Sequence, residues 1–164
     1  MTKNLDDAVW RTLRRKLLLA SDAHVRVGVL GSKGGDAAVD GGFTVVELAA
    51  VHEFGSPANG IPERSFIRRT MADKADELGK VCARLAEKVV TDKAMTVGRA
   101  LDTLGAYASA QVKKTITVGR LLEPNAPSTI AAKGSDRPLV DTGRLVQSIT
   151  WQVMNNRGGD DGEP

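Results

Sequence analysis

Two consecutive helical stripes in the middle of this chain constrain its fold more than any other feature. Leu78, Cys82, Leu85 and Val89 fall at i, i+4, i+7 and i+11, a spacing that lines one face of an α-helix. After a short break, Val97, Leu101, Leu104, Ala108, Val112 and Ile116 keep the same period. The first helical pattern starts at Ser65, so helices are predicted over about 65–92 and about 96–117. Long helices joined by so short a connection pack as an antiparallel hairpin. Each leucine they bury contributes roughly 1.5–3 kcal/mol. Cys82 lies on the first stripe and is expected to be a small core residue.

The hairpin needs something to pack against. Residues 4–20 read as a further helix, with Asn4 as cap, Asp6 and Asp7 at its positive end and Arg14, Arg15 and Lys16 towards its negative end. Leu5, Val9, Leu13 and Leu17 form its apolar stripe, with Trp10 beside them. That stripe faces either the chain's own core, which is the simpler expectation, or a neighbouring subunit. His24–Leu30 alternates Val25, Val27 and Val29 on one face, the period of a half-buried strand. A second strand is predicted over Ser148–Val153 from the alternation of Ile149, Trp151 and Val153. A short turn of helix through Leu145, capped by Asp141 or Thr142, precedes it.

Between these elements lies a short helix. Thr44 and Glu47 have the spacing of a capping box, in which each side chain satisfies the other residue's free backbone N–H. The helix runs about ten residues to Glu53-Phe54-Gly55, with Gly55 as a natural cap ahead of Ser56-Pro57. The predicted class is therefore α+β: a small antiparallel sheet packed against a long antiparallel helix hairpin, plus an N-terminal helix. With 164 residues, 41% of them apolar and only 4% aromatic, one aliphatic core over 1–154 is expected. The tail 155–164 has nothing to bury and reads as disordered. Gly31–Gly42 and Gly119–Asp141 read as loops, the second long enough that a role in contacting a neighbour is expected.

Several function classes are excluded on residues alone. Cys82 is the only cysteine, so the chain has neither an internal disulfide nor a thiolate cluster. His52-Glu53 invites comparison with a zinc-protease helix, but the second histidine that motif requires is Ser56. The glycine-rich segment has neither phosphate-binding spacing, and no nucleophile sits in a catalytic motif. No cofactor, metal or catalytic residue is expected. Leu17–Ala20 is too short for a signal-peptide core, and no run approaches the roughly 20 apolar residues of a membrane helix. The chain reads as made in the cytoplasm, without membrane contact. Net charge is +3 with the two signs interleaved. Arg11, Arg14, Arg15 and Lys16, or Arg64, Arg68 and Arg69, could meet phosphates, but a solvated surface explains both clusters equally well.

Three segments carry a resemblance: VELAAVHEFGSPANGIPERSFIRRTM (46–71), LGAYASAQVKKTI (104–116) and PNAPSTIAAKGSDRPLVDTGRLVQSI (124–149). In this order and spacing the chain resembles the tail-component, tail-completion and virion-morphogenesis proteins of tailed bacteriophages. In that family a helix ends in an E-F/Y-G turn, a proline-rich bridge leads to P-x-R-x-F and a long helix, and P-L-x-D-T-G-x-L precedes a closing strand. Glu53, Phe54, Gly55, Pro62, Arg64, Phe66, Pro138, Leu139, Asp141, Thr142, Gly143 and Leu145 match. Ser65 departs, standing where many relatives have a second proline. The resemblance implies a structural subunit of the virion, assembled in the host cytoplasm and placed at the head–tail junction or upper tail. Its partners would be copies of itself, in the six-fold ring expected of the family, and neighbouring neck, tail-terminator or tail-tube proteins. Tail termination and head closure are alternative stations. A ring around the genome's exit channel is also compatible with weak, sequence-independent DNA contact. The assembly motif is expected at Glu53, Phe54, Gly55, Pro62, Arg64 and Phe66, together with Asp141, Thr142, Gly143 and Arg144. Arg64 and Asp141 are expected to tie the two bridge segments together.

Overall fold

The computed structural model describes residues 7–31, 42–118 and 143–155. Asn4, Asp6, Asp141, Thr142, most of the two predicted loops and the tail after Asn155 lie outside the described residues. In chain order the elements are α1 (Asp7–Asp22), β1 (Ala23–Val29), α2 (Val45–Phe54), a 3-10 turn (Pro57–Asn59), α3 (Phe66–Asp73), α4 (Ala75–Thr91), α5 (Val97–Val118), α6 (Arg144–Ser148) and β2 (Ile149–Asn155). The fold is α+β: a small antiparallel sheet packed against helices.

β1 and β2 pair antiparallel from Ala23↔Asn155 to Val29↔Ile149. The register places Val25, Val27 and Val29 opposite Val153, Trp151 and Ile149, so the alternating valines and the β2 apolar residues share one face. Each strand is shifted slightly from its predicted span. β1 starts one residue earlier than expected, and β2 runs to Asn155 instead of Val153.

That apolar face lies on α5, and the contact depends on small residues. A Cβ at Gly105 would collide with the Trp151 ring and with Val25 Cγ2. Ala108 and Ser109 are buried next to it. Trp151 is held in place by a 2.7 Å hydrogen bond from its indole N–H to Asp102, one turn earlier on α5. Beyond this contact, Val45 and Ala49 of α2, Phe66 of α3, Val112 and Ile116 of α5, Leu145 of α6 and Ile149 of β2 close the main core. Phe66 and Ile149 are fully buried, each worth roughly 1.5–3 kcal/mol of transfer free energy.

The helix expected over about 65–92 is two helices, α3 and α4, with a break at Lys74 (φ −103°, ψ 9°). The break follows a turn in which Thr70 bonds both within α3 and across to α5. The Thr70 hydroxyl donates to the Phe66 carbonyl at 2.5 Å and is 2.7 Å from the Thr115 hydroxyl. Thr103 makes the same back-bond inside the unbroken α5, so what sets Thr70 apart is its bond to Thr115, which pins α3 to α5. The α4–α5 hairpin forms as predicted. α5 opens after Thr96, whose hydroxyl accepts from Arg99 N–H at 3.2 Å.

Two burial expectations fail. Cys82 is exposed, and of its stripe only Val89 is buried. α4 buries Val89 near its C-terminal end and receives a hydrogen bond from the Tyr107 hydroxyl of α5 at Glu77 in its first turn, while Leu78, Gly79 and Cys82 line an apolar groove with Val25, Val27, Ile67, Met71, Leu104 and Ala108. The stripe of α1 does not enter the chain's own core either. Val9, Trp10 and Leu17 are each about half exposed, at 52%, 53% and 55%. α1 is held through other residues. The Lys16 ammonium donates to the carbonyls of Val89 (2.7 Å), Asp92 (3.2 Å) and Met95 (3.3 Å), where a cation meets the negative end of α4.

Candidate assembly site

The capping box forms as predicted. Glu47 N–H donates to Thr44 Oγ1 at 3.2 Å, and Thr44 N–H donates to Glu47 Oε2 at 2.8 Å. The Thr44 N–H, and secondarily the Thr44 hydroxyl at 3.0 Å, donate to the Glu47 carboxylate and hold it below the usual carboxylate range. α2 therefore has a fixed start, and its buried face of Val45, Ala49 and Glu53 leads into the Glu53-Phe54-Gly55 corner.

Gly55 is required there for two reasons. Its φ of 72° lies in the left-handed region. A Cβ would also sit 2.9 Å from Glu63 N and 3.1 Å from Ile61 O. The chain then closes a small loop. Ser56 and Ile61 exchange backbone hydrogen bonds at 2.8 and 3.0 Å around the Pro57–Asn59 turn, with Gly60 left-handed at φ 63°. Pro62 is exposed on its rim. Arg64 N–H donates to the His52 carbonyl at 2.7 Å, which returns the bridge to the end of α2.

Glu53 is the centre of this corner. It is only 5% exposed, and its carboxylate accepts from Ser65 Oγ (3.1 Å), Ile67 N–H (2.9 Å), Arg68 N–H (3.0 Å) and Arg68 Nε (3.1 Å). Two of these donors are free amides of the first turn of α3, so Glu53 caps α3 from the preceding helix. Ser65 makes no side-chain cap bond of its own; its hydroxyl serves Glu53. Arg68 also donates to the Glu53 carbonyl (2.8 Å) and to Glu63 (2.9 Å). Its guanidinium lies 4.9 Å from the centre of the Phe54 ring. Phe54 is 64% exposed.

The predicted residues thus divide. Glu53, Gly55, Arg64 and Phe66 build the corner from inside. Arg64 and Phe66 are buried, so neither is available to a neighbour. Phe54 and Pro62 are exposed on the same corner. Gly143, left-handed at φ 74°, precedes α6 as its cap, and Arg144 follows it at the surface; Asp141 and Thr142 lie outside the described residues. Leu145 of the same motif packs in the core with Val45, Ala49 and Phe66. The expected tie between Arg64 and Asp141 lies outside the described residues.

Sequence reading missed the part played by Arg68, which it placed in a basic cluster. Its partner Glu53 is fifteen positions away, and no periodicity links residues at that spacing. Both clusters lose members to structural bonds: Arg68 to Glu53 and Glu63, Lys16 to the end of α4. Arg11, Arg14 and Arg15 remain exposed on α1. Among the described residues no group of His, Cys, Asp and Glu side chains could hold a metal ion. None of the described helices is long and apolar enough to cross a membrane. No protein-family model, curated protein or solved structure matches this chain.

Proposed function

We propose that this chain is a structural subunit of a tailed-phage virion that joins or completes the tail at the head–tail interface by assembling into a ring with copies of itself. One observation carries the reading. The motif residues that suggested it are built into one piece of structure: within 46–71 Glu53 caps α3 and Arg64 N–H bonds the end of α2, and Leu145 of the last segment shares the core cluster with Val45, Ala49 and Phe66. The corner they build is rigid inside and presents Phe54 and Pro62 outward, which suits a contact surface.

The test is to purify particles of the phage or prophage that encodes the chain, measure its copy number, and locate it by cryo-electron microscopy. The expected result is one ring's worth of copies at the neck or upper tail, and unjoined heads and tails when the gene is deleted. Absence of the chain from purified virions, or normal infectious particles without it, would overturn the proposal.

A further inference from the structure

We infer that the cleft between α1 and the start of α5 binds a phosphate group, held by the guanidinium groups of Arg11 and Arg15. A single chain suffices for such a site, so it stands or falls apart from the virion reading above.

α1 meets its own chain with its polar side. Arg11, Thr12, Arg15, Lys16 and Leu19 line a cleft of about 340 Å³ with Thr96 and Val97. Arg11 and Arg15 are one helical turn apart, roughly 6 Å along the axis and on the same side of α1. Lys16 is already satisfied, because its ammonium donates to the carbonyls of Val89, Asp92 and Met95.

The two arginines are not. Among the described residues the ion pairs join Arg68 to Glu53 and Glu63 and Lys74 to Glu77, and none reaches Arg11 or Arg15. No acidic side chain is among the described residues that line the cleft. Acids close in sequence to its α5 wall are committed elsewhere: Asp92 accepts from Ala94 N–H at 2.8 Å, and Asp102 from the Trp151 indole at 2.7 Å. Like charges four residues apart on a helix repel, and these two also stand beside the Lys16 ammonium and the positive end of α5. A bound anion relieves that repulsion. The chain's other basic cluster has no such need, since Arg68 is held by Glu53 and Glu63 and Arg64 is buried.

The donors select the kind of anion. Thr96 accepts from Arg99 N–H at 3.2 Å, which leaves its own hydroxyl proton for a ligand oxygen. Two guanidinium forks and a hydroxyl call for more acceptor oxygens than the two of a carboxylate, and a phosphate supplies them in the bidentate geometry that arginine favours. Leu19 and Val97 give the cleft an apolar wall, where salt screens such bonds less than on open surface. The phosphate comes either free in solution or from the phosphodiester backbone of a nucleic acid. Arg14, exposed next to Arg15, extends the positive charge outward along the path a backbone would take.

The test has two arms on the full chain. In the first, the nitrogen-15-labelled protein is titrated with sodium phosphate at fixed ionic strength, with sodium acetate as the control. Saturable NMR shifts are expected at the Arg11 and Arg15 side chains and at the first amides of α5, with none from acetate. In the second, a short mixed-sequence DNA duplex is titrated by fluorescence anisotropy. Duplex binding identifies the backbone as the source, and phosphate binding without it identifies free phosphate; either supports the site. Arg11→Gln with Arg15→Gln should weaken whichever ligand binds by about tenfold or more. For the duplex it should also lower the slope of log affinity against log salt by about 1.8, two contacts at about 0.9 each. Lys113→Gln with Lys114→Gln removes the same charge about 24 Å along α5 from Val97 and should change binding by less than about twofold. Arg11 and Arg15 are exposed, so circular dichroism should be unchanged; if the double variant fails to fold, the two single variants are compared in its place, each expected to bind severalfold more weakly. No saturable phosphate shift together with no duplex binding at low salt would overturn the inference. So would an equal response to acetate, or an equal loss from the Lys113 and Lys114 pair.

Discussion

Gly105→Ala sets two opposed effects against each other in one methyl group. In a helix interior, alanine is favoured over glycine by about 0.8–1.0 kcal/mol, so propensity alone predicts a stabilised protein. Packing predicts the reverse. The new Cβ would overlap Cδ1 and Cγ of Trp151 and also Val25 Cγ2. The ring has little freedom to withdraw, because its N–H is bonded to Asp102 on the same helix. Overpacking of this kind costs about 1–3 kcal/mol, and contact with two residues at once points to the upper half of that range. The net expectation is a loss of about 1–2 kcal/mol, equivalent to a fall in Tm of about 2–8 °C for a chain of this size. Urea and thermal denaturation followed by circular dichroism measure it. Gly79→Ala is the control: the same substitution in α4 meets nothing within 4 Å and should stabilise by up to about 1 kcal/mol. If Gly105→Ala matched or exceeded Gly79→Ala in stability, the close approach of α5 to the sheet would be refuted.

Glu53→Ala removes the acceptor for two α3 amides and for Arg68, and should cost about 2–3 kcal/mol, with Glu53→Gln recovering part of the loss in urea titrations. Gly55→Ala combines a positive φ with the clash at Glu63 and should lose about 1–3 kcal/mol, read as a lower Tm. Lys16→Met frees the carbonyls at the end of α4; hydrogen exchange should rise in α1 and over Val89–Met95 while the α5 core keeps its protection. Glu47 has a lowered pKa in the folded chain, so the stability its capping bonds add is present above the ordinary carboxylate pKa and is lost as pH falls through the lowered value. NMR titration should show the Glu47 carboxyl moving part of the way back to the ordinary range in Thr44→Ala.

The sequence by itself determined what short-range chemistry controls. Thr44 and Glu47 are three residues apart, so their mutual capping depends on local geometry alone. Valines spaced by two and leucines spaced by three or four specify strands and helices whatever lies around them. On that basis the α+β class, the hairpin, α2 and both strands could be read directly, and the ordered motifs marked the Glu53–Phe66 corner. Only the tertiary structure decided which faces are covered. Periodicity groups Cys82 with Leu78, and Trp10 with Leu13, but cannot say whether another element packs over them. The pinning of α3 to α5 depends on Thr70 meeting Thr115 on another helix, and the capping of α3 depends on a carboxylate from the end of α2. The need for glycine at position 105 comes from an indole forty-six residues away. In each case the deciding partner is distant in sequence, and its position exists only once the chain has folded.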